Sequence, residues 1–171
     1  MGILDSLSDV LKNYSGSQTK NTANAAEHFD QVAQVAPRNV IAEGLAAAFR
    51  SDKTPAFGNL VGKLFSQSSG EQKAGILNQL LASAGPGVLA QLAGGVTSLP
   101  GSEGQQITPD QAQAVSPEVV QQLATHAEKS DPSIVDKASA FYAQHSTLVK
   151  TLGGAALTIA LAKVAERQRA A

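Results

Sequence analysis

The sequence contains no cysteine and no tryptophan. Lack of cysteine excludes disulfides, thiolate metal sites and thiol catalysis together, and removes any redox argument about compartment. Aromatic residues are scarce, with five Phe and two Tyr, so the residues that favour strands are thin beside Ala, Leu and Gln. An excess of either charge is also missing: 13 Lys and Arg stand against 14 Asp and Glu. That balance makes no field to gather a phosphate backbone, and nucleic acid is not an expected partner. The chain has no GxSxG elbow, HExxH pair, P-loop or GxGxxG turn. Catalysis is therefore not expected, nor is a cofactor or a bound metal.

What is present points to helices. A chain of 171 residues, 43% of them hydrophobic, has enough apolar surface for a real core in one domain or two small ones. Ile3, Leu4, Leu7, Val10 and Leu11 recur at helical spacing, and Ser15 to Thr22 has the composition of a linker. Helices are then expected over 23–35, with Ala25, Phe29, Val32 and Ala33 inward, and over 38–49, with Ile41, Leu45, Ala48 and Phe49 inward. Four dipeptides, Thr54-Pro55, Thr108-Pro109, Ser116-Pro117 and Asp131-Pro132, combine a capping oxygen with a proline that has no N–H to satisfy, so each is expected to start a helix. Ser69 and Gln72 make a capping box. A short helix is expected over 86–92, a Gly, Ser and Pro loop over 94–106, and a final helix capped by Ser146 that runs to about Gln168. The fold class is all-α, a bundle of about eight helices.

The chain also echoes itself. Asp30, Gln31, Val35, Pro37 and Val40 recur as Asp110, Gln111, Val115, Pro117 and Val120, an offset of 80. Further on, Pro55, Gln67, Ser69, Lys73 and Leu80 match Pro132, Gln144, Ser146, Lys150 and Leu157 at an offset of 77. Two related helical units in tandem follow. The expected organisation is an N-terminal helix and linker over 1–22, a first unit over 23–93, the loop over 94–106 and a second unit over 107–171.

Histidines 28, 126 and 145 have no partner at the spacing that helical metal sites use, and they read as surface or helix-end residues. Gly58 and Gly62, four apart on an apolar arc, allow a second helix to approach closely, and Gly153 and Gly154 are candidates for the same role. From Leu152 to Ala162 eleven residues carry no charge. At ~1.5 Å per residue they cover about half of a ~30 Å hydrocarbon core, too little to span a membrane. On a helical wheel Leu148, Leu152 and Ile159 form one face and Leu157, Leu161 and Val164 another. A helix apolar on both sides is the centre of its own bundle, a docking element, or a helix that inserts into a membrane surface or closes over a lipid. Leu157, Leu161 and Val164 are the candidate interaction face.

The stretches DPSIVDK (Asp131 to Lys137), FYAQH (Phe141 to His145) and LVKTLGGAAL (Leu148 to Leu157) resemble the C-terminal part of hypothetical bacterial proteins. The Met1 to Asp5 start and the Gln-Leu-Leu stretches are similar to the YidB-like bacterial families of unknown function. The resemblance implies a bacterial, cytoplasmic helical protein and brings no functional residue with it. The expected function is that of a non-enzymatic interaction or scaffolding protein acting through apolar helix faces, on a protein partner or in a homo-oligomer. The alternative is a carrier for a lipid or other hydrophobic ligand, at a membrane surface or in the cytoplasm.

Overall fold

The computed structural model describes residues 3–14, 24–85, 88, 91 and 106–170. Every element among them is helical: α1 Ile3–Tyr14, α2 Ala25–Val35, α3 Arg38–Arg50, α4 Phe57–Ser66, α5 Gly70–Ala84, α6 Pro109–Gln113, α7 Pro117–Ser130, α8 Ile134–Ala143, α9 Ser146–Val149 and α10 Gly154–Ala170, with a 3-10 turn at Lys150–Leu152. The all-α class holds. The linker, all but residues 88 and 91 of the helix expected over 86–92, and nearly all of the 94–106 loop lie outside the described residues; 88 and 91 are helical.

Capping chemistry places several of these starts. Ser69 accepts from the Gln72 N–H while Gln72 accepts from the Ser69 N–H, and Thr108 and Gln111 repeat the arrangement ahead of α6. Ser116 accepts from the Val119 N–H with Pro117 at the first turn of α7. Two of the four expected proline starts differ. Thr54 does not cap α4, whose N-cap is Ala56; its hydroxyl donates instead to the carbonyls of Ala48 and Ser51 at 2.6 and 3.0 Å. The hydroxyl thereby closes the end of α3, where carbonyls have lost their helical donors. Asp131 holds a turn, accepting from the Ser133 N–H at 3.1 Å, and α8 begins only at Ile134.

The last helix is also not continuous. His145, rather than Ser146, is the N-cap of α9, and Gly153 breaks the path at φ 98 before α10 begins. Only glycine adopts that backbone without strain. Gly85 ends α5 in the same way at φ 94.

The chain divides into two compact units, Met1–Thr54 with Ser139–Ala171, and Pro55–Ala138. This grouping differs from the expected boundaries of 23–93 and 107–171, because helices far apart in sequence pack more closely than those adjacent in it. In the first unit α10 lies against α3, α2 and α1. A Cβ on Gly44 would come within 2.7 Å of the Ala160 carbonyl oxygen and 2.9 Å of Val164 Cγ2, so α3 meets α10 almost backbone to backbone. Around this contact Phe29, Val32, Ile41, Leu45, Phe49, Leu157, Leu161 and Val164 are buried. Phe49 meets Tyr142 edge-on at 6.4 Å between centroids, and Tyr142 meets Phe141 at 5.3 Å.

In the second unit α7 lies against α4 and α5, and α6 against α5. Its core holds Phe57, Leu60, Val61, Leu64, Phe65, Ile76, Leu77, Leu80, Val120 and Leu123. Asn78 on α5 secures the segment ahead of α6: its Oδ1 accepts from the Ile107 N–H at 2.8 Å and its Nδ2 donates to the Ile107 carbonyl at 3.3 Å. The side-chain amide thus pairs with a backbone that no helix satisfies.

Two substitutions test the first unit. Leu161→Ala is expected to cost roughly 2–5 kcal/mol, since it empties a fully buried site. Tyr142→Phe is expected to raise stability by about 1 kcal/mol, because it deletes a buried hydroxyl that finds no hydrogen-bond partner and carries a desolvation cost. Urea unfolding followed by circular dichroism measures both. Equal midpoints for Leu161→Ala and the parent would show that α10 is not the centre of this core.

Candidate functional site

The residues expected to form an interaction face are inside the protein. Leu157, Leu161 and Val164 are exposed by only 1%, 0% and 0%, and on the other side of the segment Leu148 and Leu152 are buried too. The helix is therefore the centre of its own unit, and this face docks no external partner while the unit is folded. Three large side chains buried at roughly 1.5–3 kcal/mol each account for its apolar character. The described surface has one exposed large apolar residue, Val35, and a lone valine is no patch. Among the described residues no helix is long and apolar enough to cross a membrane.

Of the candidate glycines, Gly58 and Gly62 do serve close packing. A Cβ on Gly58 would lie 2.4 Å from Thr125 Oγ1 and 2.6 Å from the Gln121 carbonyl oxygen, and one on Gly62 would lie 2.4 Å from Gln121 Cγ. Gly153 acts differently, through its positive φ. Gly154 opens α10, and its carbonyl accepts from the Thr158 hydroxyl at 2.7 Å. Gly44 makes the corresponding contact in the first unit without having been singled out from the sequence. Its signal was the small-residue run Gly44-Leu45-Ala46-Ala47-Ala48 on an otherwise amphipathic helix.

Close packing of α4 on α7 shapes the surface above it. Asn59, Gln121, Gln122, Thr125, His126 and Lys129 line an open groove of about 440 Å³. All but Gln121 are exposed. Two amides from α7, one from α4, a hydroxyl, an imidazole and an ammonium offer donors and acceptors side by side. Thr125 donates to the Gln121 carbonyl at 2.8 Å, and His126 Nδ1 lies 3.3 Å from Ser130 Oγ. Sequence periodicity could not reveal this groove, because it is made of residues that the apolar pattern leaves out.

The remaining polar clusters fasten helices together. Asp131 accepts from Ser133 Oγ at 2.6 Å, Ser83 Oγ at 3.1 Å and Lys137 Nζ at 2.9 Å. Hydrogen bonds from Ser133, then Lys137, then Ser83 hold its carboxyl well below the usual carboxylate range. Ser83 and Lys137 lie 3.5 Å apart, a pairing that can activate a serine when the amine is a free base. Here the ammonium is ion-paired and the serine proton is given to Asp131, so the cluster pins α5 to the turn before α8. In the first unit, Arg167 donates through Nε and Nη2 to both carboxylate oxygens of Glu43, a two-pronged pairing of α10 with α3. The Arg167 hydrogen bond lowers the Glu43 carboxyl. Lys150 pairs with Asp30 at 3.4 Å.

The histidines are more tied than their sequence context suggests. His28 is half-buried, with Nδ1 2.6 Å from the Tyr14 hydroxyl oxygen, which fastens α1 to α2. His145 packs on Phe141 at 4.8 Å between centroids. Among the described residues no group of three His, Cys, Asp or Glu could hold a metal ion.

Asp131 generates a pH prediction. Its carboxyl is lower in the folded than in the unfolded chain, so its contribution is complete above the unfolded value of about 3.9 and fades as pH falls below that value. Asp131→Asn is therefore expected to melt lower than the parent at pH 6, and the gap should narrow as the pH is taken below about 3.9. Thermal scans between pH 2 and 7 measure it, and a gap independent of pH would remove the ionised carboxylate from the account.

Comparison with protein-family models, with curated proteins and with solved structures finds no match to this chain.

Proposed function

We propose that this chain is a non-enzymatic helical interaction or scaffolding protein, and that it meets its partner through the open groove between α4 and α7, where aliphatic stems carry polar ends, rather than through the buried face of α10. The observation that carries the reading is the groove itself, where six hydrogen-bonding side chains line about 440 Å³ of open surface. Its floor is set by two glycines, and five of the six side chains are exposed. Thr125 and His126 make local hydrogen bonds within α7, and Asn59, Gln122, Thr125, His126 and Lys129 are exposed at the groove. Association through such a surface depends on complementary hydrogen bonds and shape. This groove is open, and so is not the closed apolar cavity of roughly 300–1,000 Å³ that a carrier requires. Kinship with the YidB-like families belongs to the same proposal and rests on the Met1 to Asp5 start and the Gln-Leu-Leu stretches, while the C-terminal stretches carry the likeness to hypothetical bacterial proteins.

Native mass spectrometry of protein purified from its own cells tests this, because it reports bound subunits and retained ligands together. The expected result is a bound protein subunit, another chain or a second copy, whose occupancy falls at least tenfold in the double variant Gln122→Glu, His126→Glu. Both positions are exposed, so stability should change by less than about 0.5 kcal/mol per site. A monomer without adduct, or a bound subunit indifferent to the double variant, overturns the proposal. A retained lipid would favour the carrier instead.

A further inference from the structure

The sequence echo and the division into units were found separately, and together they describe an exchange. Shifted by 77, α4 at Phe57–Ser66 falls on 134–143, the bounds of α8. Burial follows the shift at five pairs, Phe57 with Ile134, Gly58 with Val135, Val61 with Ala138, Gly62 with Ser139 and Phe65 with Tyr142, and departs from it where buried Leu60 meets exposed Lys137, buried Leu64 meets half-buried Phe141 and exposed Ser66 meets buried Ala143. Shifted by 80, α3 at Arg38–Arg50 falls on 118–130, which is α7 less its first residue. The buried faces of α3 and α7 differ by one position, Ile41, Leu45 and Ala48 against Val120, Ala124 and Ala127, equivalent to turning one helix by about 100°. After α4 and α8 come α5 and the segment leading into α10, where Ser69 matches Ser146 and Leu80 matches Leu157. The second copy of this helix is broken at Gly153 while α5 runs on.

The packing partners are crossed. In the first unit α3, from the first half of the sequence, packs on α10, from the second; in the other unit α7, from the second half, packs on α5, from the first. Each unit thus joins an α3-type helix of one half to an α5-type helix of the other. Helix α8 contributes its first five residues to one unit and its last five to the other.

We propose that residues 24–85 and 106–170 are duplicated halves that exchange helices with each other, so that neither half folds without its counterpart and a half from a second copy of this chain can take its place. The contact that holds α3 to α10 through Gly44 is then, in kind, a contact between two copies of one ancestral half. Chains built this way are suited to swapping, because the surfaces exchanged between copies are the ones already used within a copy.

A specific protease site inserted between Ser98 and Leu99 of the full chain tests this. After cleavage the two pieces are expected to remain together at the mass of the uncut protein. Cut protein prepared in unlabelled and in 15N-labelled form, then unfolded, mixed equally and refolded, is expected to give mixed-label pairs as half of the population. Separation of the cut protein into two independently folded bodies overturns the proposal. Where cut pieces fail to refold, labelled and unlabelled intact chains are refolded together at rising concentration. Mixed-label dimers that grow as the concentration approaches ~1 mM, the range in which intermolecular pairing competes with a tethered partner, support it. Monomer at every concentration overturns it.

Discussion

The contact between Gly44 and Ala160 is the constraint on which much of the first unit depends. The segment from Leu152 to Ala162 has no charge, so the inner side of α10 needs cover, and the cover must come close because four of those eleven residues are Ala and two are Gly. A larger residue at 44 would hold α3 off by the width of a side chain and leave a gap along the helix. With Gly44 in place, Leu45, Ala48 and Phe49 reach the same core as Leu157 and Leu161. The C-terminal helix is thus paired with the N-terminal part of the chain. Residues 55–138 are left to build a core of their own. The discontinuity of the first unit follows from how the apolar N-terminal part of α10 is covered.

Polar residues supply definition where helices end. Thr54 takes the carbonyls that α3 leaves over, Asn78 serves both backbone groups of Ile107, and Asp131 gathers four donor groups at the turn before α8. Each satisfies groups that would be costly to bury unpaired. None of these clusters has a spare nucleophile and free base side by side. Their chemistry is spent on holding the chain.

The inward residues of individual helices were legible because period and capping are local. Phe29, Val32, Ile41, Leu45, Ala48 and Phe49 are marked by spacing alone, and Ser69, Thr108 and Ser116 by their neighbours. Thr54 and Asp131 show the limit of that reading. The same dipeptide that caps a helix can close the previous one or build a turn, and the choice lies with groups elsewhere in the fold. The partner of each helix was less legible still. Periodicity states which side is apolar, and two apolar sides of similar width are interchangeable until small residues such as Gly44, Gly58 and Gly62 say how near each can come.

The same reasoning explains why the apolar pattern points to a face that lies inside the protein. Leu157, Leu161 and Val164 drew attention because unpaired apolar faces are informative, yet they were unpaired only in the sequence. The groove over α7 offered no such signal, since Gln121, Gln122, Thr125 and His126 are polar residues on a helix whose other face is buried. It lies in a chain segment with no basic residue for 55 positions, from 74 to 128, and Lys129 stands at its edge. Under the proposed function a partner there would meet little charge to steer it, and recognition would rest on short-range hydrogen bonding and on shape, with little for salt to screen. Beneath the groove α4 approaches α7 closely. The glycines that form the core of the second unit also fix the spacing of the groups it presents to solvent.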